Sequence, residues 1–378
     1  MKRIAIFLDG TWNTLKDNTN VWRLKSLCDP GAPGQVVYYS RGVGTAFGEI
    51  ARGGVEGFGI DDEIIDAYTW LTERFEPGDE IFIFGFSRGA YTARSLSGLI
   101  AKCGVLKPGA PLSIAQLYAR YRRRTESTIR ELVQGPPPSD LEERWIVKYC
   151  EPTKIKMVGV WDTVGSLGSP IESLKSKIVQ YLFLDTHLRV QNEFAFQALA
   201  IDEQRRSFEP TLWTKTISNS ASAVVPPERP LAQVEQRWFV GAHANVGGGY
   251  PSDLLAQPPL QWLMGKAAAL GLQFRKTFVA DAQSPTAPIR DSYREFAHGW
   301  YRLVSSRFYR PIGTDPDKSA NSTTHRINET IDGSVFDRWR GNKEYRPPNL
   351  VDWAGRMGVD PADLTGARLA GDPRTAVA

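Results

Sequence analysis

The chain reads as an α/β protein, wound on both sides of a mostly parallel central sheet. Two observations predict this. Five short runs are rich in β-branched and aromatic residues: IAIFL (4–8), VVYY (36–39), IFIFGF (81–86), KIKMVGVW (154–161) and RWFVGAH (237–243). Their hydrophobicity is almost continuous, as in strands covered on both faces. Helical patterns lie between them, and that alternation is the signature of a doubly wound layer structure.

The elements follow in order. MKRIAIFLDG opens like a secretion signal, with Lys2 and Arg3 before apolar residues. The apolar run stops at Asp9, too soon for a signal core, so it is a first strand. Residues 61–75 predict a helix with an aspartate cap and Ile64, Ile65, Tyr68, Leu71 and Phe75 on one face. RGAYTARSLSGLIAKCG predicts a second, ending at Gly104. Two helical insertions are expected, 112–149, broken by GPPPS, and 171–208, where Phe194, Ala198 and Ile201 share a helical face. Both are candidate caps over a site. From 281 the sequence is rich in Pro, Arg and Trp and reads as a C-terminal elaboration. A single domain over 1–350 and a partly flexible extension over 351–378 are expected.

Composition narrows the function. The 46 basic residues nearly balance 42 acidic ones, a net charge of +4, which argues against nucleic acid as a partner. Cys28, Cys103 and Cys150 are scattered without metal-ligand spacing, suit a reducing compartment and predict no metal or other cofactor. No apolar segment approaches the ~20 residues that span a bilayer. A cytoplasmic location in the producing cell is expected, with release by a route that needs no signal peptide.

The chemistry-bearing stretch is FIFGFSRGAYTAR at 82–94. Gly85-Phe86-Ser87-Arg88-Gly89 lies between a buried strand and a helix, the context in which a serine on a sharp turn becomes a nucleophile. The structural alternative is an ordinary serine in a glycine-rich bend. A serine needs a base, and the base a carboxylate, in the chain order serine, acid, histidine for an α/β-hydrolase. His243 follows an apolar strand and enters ANVGGGYP, whereas His187, His298 and His325 read as surface or core histidines. Asp162 in VGVWDTVGSLG sits at another strand end. Asp185, Asp202 and Glu203 are rivals in helical patterns, and capping is the competing role for Asp162. For the oxyanion hole, the N–H of Arg88 and the loop of Asp9, Gly10 and Thr11 are expected, with Gly10 as second donor and Asp9 bracing the turn. DGT also suggests phosphatase motifs, but Phe7 stands where they need an aspartate. The glycines of 41–59 miss the dinucleotide-binding spacing and predict a loop lining the cleft.

FLDGTWN, GVGT, GFSRGAYTAR, GVWDTVGSLG, ALAIDEQRRSFEPTLW, WFVGAHANVGGGY and YRPPNL follow one another in the chain. Together they resemble the catalytic domain of the first family of type VI secretion phospholipase effectors, over residues 3–350. The resemblance implies an α/β-hydrolase-like fold and a serine lipase with nucleophile Ser87, acid Asp162 and base His243. It also implies a lipid substrate and a secretion-apparatus or immunity protein as partner. The family usually has aspartate where this chain has Asn245, and often histidine where it has Asp332.

Three functions remain in play: a lipase or phospholipase, a hydrolase for small esters or thioesters, and a hydrolase-like scaffold that binds without catalysis. Arg120, Arg122, Arg123 and Arg124 could meet anionic headgroups in a transient membrane-surface contact. A solvated helix face pairing with Glu126 and Glu131 is the plainer expectation. Phe47, Phe58 and Phe183 are candidates for an acyl pocket, against the plainer reading of core aromatics.

Overall fold

The computed structural model describes residues 1–10, 18–42, 59–123, 125–165, 188, 191–218, 229–295, 305–314, 317–318 and 322–369. Strands β1 (Arg3–Leu8), β2 (Gln35–Ser40) and β3 (Glu80–Phe86) alternate with helices α1 (Asn20–Leu27), α2 (Ile60–Thr72) and α3 (Arg88–Cys103). The two-residue strands β4 (Val105–Leu106) and β5 (Cys150–Glu151) pair antiparallel. They close the neck of an insertion built from α4 (Ile114–Arg122), α5 (Ile129–Gln134) and α6 (Leu141–Tyr149). This is the helical insertion expected over 112–149.

Strands β6 (Ile155–Trp161), β7 (Asn192–Ala200), β8 (Thr214–Ser218), β9 (Val234–Phe239), β10 (Asp317–Lys318), β11 (Ser322–Arg326), β12 (Glu329–Ile331) and β13 (Ala367–Arg368) complete the set. The central sheet has the order β13-β12-β9-β7-β6-β3-β1-β2. Every neighbouring pair in it is parallel except β12 with β13. A small sheet, β10-β11-β8, stands beside it.

The strand alternation decides which helices cover which face. Ile4, Ile6 and Leu8 of β1 join a core with α2 and α3, while Ala5 and Phe7 join one with α1 and the helix Gln257–Ala269. A third apolar cluster, including Trp238, Ile331, Phe336 and Trp353, packs the C-terminal region against the β9 and β12 side. The mostly parallel α/β architecture is therefore as the sequence predicts.

Three local expectations are corrected. Residues 192–200 form β7, not a helix. The strand is buried along most of its length, so the spacing of Phe194, Ala198 and Ile201 reflects burial on both faces rather than a helical stripe. Of the second expected insertion, 171–187 lies outside the described residues. Helix α2 is capped by Gly59 in a left-handed conformation with no side-chain bond. Asp61 and Asp62 occupy its first turn, where negative charge is favoured by the helix dipole. The C-terminal elaboration joins the central sheet: a boundary at 350 falls inside the helix Pro348–Met357, and Ala367–Arg368 form its last strand.

Candidate functional site

The strand ends bring the three predicted residues to one rim of the sheet. Phe86 and Trp161 are register partners on β3 and β6, and Ser87 and Asp162 each follow by one residue. The Ser87 N–H donates to the Trp161 carbonyl at 3.1 Å. His243 lies four residues beyond β9 and opens the short helical turn His243–Gly247.

Ser87 adopts φ 57°, ψ −120°, a conformation rarely held by a residue with a side chain. Such strain, of order 1–3 kcal/mol, persists only where the surroundings impose it. Here the glycines of G-x-S-x-G impose it. A Cβ on Gly85 would lie 2.3 Å from the Gly89 carbonyl oxygen, and one on Gly89 would lie 2.2 Å from that of Leu8. Only bare backbone lets β3 turn into α3 beside the end of β1. Ser87 is half-buried at the first turn of α3.

Asp162 is also left-handed, at φ 42°, and fully buried. Its Oδ2 lies 2.5 Å from Nδ1 of His243, and its Oδ1 accepts the Ala200 N–H at 3.0 Å. Arg310, itself fully buried, donates Nη1 to Oδ1 at 2.7 Å and Nη2 to Oδ2 at 3.0 Å. Burial alone would raise this carboxyl, but the Arg310 charge and the His243 bond prevail and hold it well below the usual carboxylate range. The imidazole of His243 lies between the rings of Phe86, 4.7 Å away, and Phe208, 5.0 Å away. Burial lowers its pKa, against the opposing pull of Asp162. The resting imidazole is thereby biased towards its neutral form.

A second buried acid supports the histidine from another side. Glu203 Oε2 accepts the His243 backbone N–H at 3.1 Å and the Ser292 hydroxyl at 2.9 Å. Arg205 grips both Glu203 oxygens, through Nε at 2.8 Å and Nη2 at 2.9 Å. Burial would raise the Glu203 carboxyl, yet Arg205 brings it to about 2. The Arg205 guanidinium lies 3.5 Å from the Phe208 ring centroid. Glu203 and Asp202 lie in the loop after β7, not in a helix, and the imidazole bonds Asp162 rather than either of them. Asp202 instead accepts from Gly241 N–H and Tyr345 Oη, and burial raises its carboxyl to about 6.

Residues 2–266 match the family model described as "T6SS, Phospholipase effector Tle1-like, catalytic domain". The chain belongs to this family. It is 27% identical over 313 residues to "Uncharacterized protein YEL023C" of Saccharomyces cerevisiae, an alignment covering 70% of this chain and 43% of that one. A crystal structure of an uncharacterized protein from Pseudomonas aeruginosa is similar at 17% identity and TM-score 0.43, over 81% of this chain and 51% of that one. A Tle1 effector bound to the VgrG spike of the type 6 secretion system is similar at 18% identity and TM-score 0.34, over 66% and 51%. The chain spans about half or less of the length of these proteins.

Other expectations for this Tle1-like chain meet different outcomes. Asp9 does brace its turn: Oδ2 accepts Thr19 Oγ1 at 2.6 Å and Tyr39 Oη at 3.0 Å. Its Oδ1, however, takes the Gly10 N–H at 2.8 Å, so the donor expected for an oxyanion is directed to Asp9. Thr11 lies outside the described residues, as do Phe47, Phe58, Phe183, Asp185, His187 and His298. The Asn245 side chain is turned to other partners: its Nδ2 donates to Asp253 at 3.0 Å, and its Oδ1 accepts from the backbones of Ala242 and Arg290. Asp332 caps the helix Gly333–Gly341 and meets Arg237. Arg120 is buried rather than solvated, paired with Glu126 at 2.8 Å, Glu143 at 3.3 Å and Glu142 at 3.5 Å. Arg122 faces Asp61, and Arg123 faces Glu126 and Glu142; Arg124 is outside the described residues. Glu131 closes a capping box with Thr128.

Arg310, Arg205 and Phe208 are the residues around the site that sequence reasoning misses, and Glu203, weighed there only as a rival acid, bonds the His243 backbone instead. Glu203 and Arg205 do lie in ALAIDEQRRSFEPTLW, a motif of the resemblance, whereas Arg310 comes from a stretch without periodicity.

Proposed function

We propose that the protein is a serine hydrolase that cleaves carboxylic ester bonds of phospholipids through Ser87, His243 and Asp162. The observation that carries this reading is the 2.5 Å bond between His243 Nδ1 and Asp162, at strand ends beside a strained Ser87. With Nδ1 held by the acid, Nε2 is the nitrogen left to act as base. It takes the Ser87 proton as Oγ attacks the ester carbonyl, and returns that proton to the departing alcohol. Water then attacks the acyl-enzyme by the same path in reverse. The N-terminal end of α3, at Arg88, is the place for developing negative charge. Gly10 serves as a donor only if its N–H leaves Asp9 during turnover.

Family membership supports a lipid substrate and a type VI secretion machine as the delivery partner. Among the described residues no helix is long and apolar enough to cross a membrane. Hydrolysis of a phospholipid panel beside short-chain soluble esters tests the substrate class. Release of fatty acid from phospholipid is expected to exceed soluble-ester hydrolysis, and the loss of both in Ser87→Ala is required. Turnover confined to soluble esters or thioesters would replace phospholipid with a small acyl substrate.

A further inference from the structure

Arg310 lies beyond the 2–266 stretch that matches the family's catalytic domain. Yet its guanidinium spans both oxygens of Asp162, one of which also meets Nδ1 of His243. Its remaining contacts fix the fork: Nη1 also donates to the Ala200 carbonyl at 2.7 Å, and Nη2 to that of Phe208. These are the end of β7 and the residue whose ring covers His243.

The backbone around Arg310 is held just as deliberately. Phe308 N–H donates to the Gln204 carbonyl at 2.9 Å. Asn349, buried in the helix Pro348–Met357, donates Nδ2 to the Arg310 carbonyl at 3.1 Å and to that of Ile201 at 2.9 Å. Arg356 of the same helix donates to the Ile312 carbonyl at 2.6 Å. The late motif YRPPNL thereby acquires a task. Its asparagine ties the Arg310 segment to the loop after β7.

We infer that Arg310 is a positioning residue of the ester-hydrolysis site, supplied by the C-terminal segment, which fixes the Asp162 carboxylate and restrains the basicity of His243. The inference rests on the triad reading above. A guanidinium on both oxygens leaves Asp162 one orientation, with Oδ2 aimed at Nδ1. The same cation opposes a proton on the imidazole, because it offsets the negative charge that would stabilise imidazolium. The other charged groups facing His243 are Glu203 and Arg205, from the loop after β7. Arg205 holds both Glu203 oxygens, and the two charges act on the imidazole in opposite directions. Burial disfavours the imidazolium and Asp162 favours it; with Arg310 on both oxygens of that carboxylate offsetting part of its pull, the base stays neutral, hence active, to lower pH than an Asp–His pair alone would allow.

The test is the pH profile of kcat/KM for Arg310→Met and Arg310→Lys, with kcat and KM resolved at each pH. In Arg310→Met, loss of the cation favours imidazolium, so the acid limb moves up by about one pH unit. In Arg310→Lys the charge remains but the fork is lost, so kcat falls at least tenfold with KM little changed and the limb near its original place. A merely structural arginine would lower the amount of active enzyme in both and move neither limb. If Arg310→Met does not fold, Asn349→Ala takes its place: it keeps Arg310 but frees its carbonyl, and kcat must fall with KM held. A limb that stays put in Arg310→Met, or a wild-type kcat in Arg310→Lys or Asn349→Ala, overturns the inference. Ser87→Ala in parallel separates the two readings. If it stays active, the triad reading fails and the inference with it; if it is inactive while the Arg310 and Asn349 variants match wild type, only the inference fails.

Discussion

Two fully buried arginines, Arg310 at the strand ends and Arg120 in the helical insertion, do different work with similar chemistry. Arg120 gathers three carboxylates whose side chains are 23–31% exposed, so each keeps much of its hydration. Its bonds tie α4 to α6 and, through the Ser127 carbonyl, to the segment that leads into α5. Arg310 instead meets a single carboxylate with no exposure at all, and that carboxylate is already committed to a histidine. In the first region the partners are solvent-softened and redundant, as in a clasp. In the second, one acid is shared between a fixed cation and an ionisable base. Any change there alters protonation as well as position.

Substitutions can break that contrast, starting with the largest effect. Asp162→Asn keeps the shape but removes the charge that His243 and Arg310 share. Activity on ester substrate is expected to fall on the order of 10⁴-fold, because the imidazole loses its required tautomer. An Asp162→Asn enzyme within tenfold of wild type would show that the acid is elsewhere, with Glu203 the nearest rival. Arg120→Met should act on stability alone. Leaving three partly solvated carboxylates without their cation is expected to destabilise the fold by about 3 kcal/mol, towards the low end for a broken buried pair. Denaturant titration measures this, while kcat per folded molecule stays at the wild-type value. A change in kcat would join the insertion to the chemistry. Asn245→Asp, which restores the family's usual residue, should have the smallest effect. It removes the donor to Asp253 and sets two carboxylates together, for a loss of about 1–2 kcal/mol in stability and less than a threefold change in kcat. A large gain in activity would show that position 245 acts on the imidazole after all.

The same two regions show what a sequence can reveal. The placement of Ser87, Asp162 and His243 at one rim was legible because each lies just past an apolar strand, and parallel strands bring their carboxyl ends together. The insertion was legible because a charged, helix-forming stretch is interrupted by GPPPS, and its helices are fixed by local bonds such as the capping boxes at Ser113 and Thr128. Strand β7 was not, because a strand buried on both faces loses the alternation that distinguishes it from a helix. Arg120 and Arg310 were misread or missed for a different reason. An arginine's burial depends on how the chain folds its carboxylates back onto it: 6 to 23 residues away for Arg120, and 148 residues away for Arg310 and Asp162. Gly10 illustrates the remaining limit: sequence places the residue correctly, but which acceptor its N–H faces is a matter of geometry.

An activated Ser87 nucleophile should react covalently with an electrophile aimed at serine hydrolases. The wild-type protein, incubated with a fluorophosphonate probe and analysed by intact mass and peptide mapping, is expected to carry one adduct, on Ser87. Ser87→Ala should carry none, and Asp162→Asn should label orders of magnitude more slowly. A folded wild-type protein that takes up no probe, or takes it up equally well as Ser87→Ala, would contradict the account.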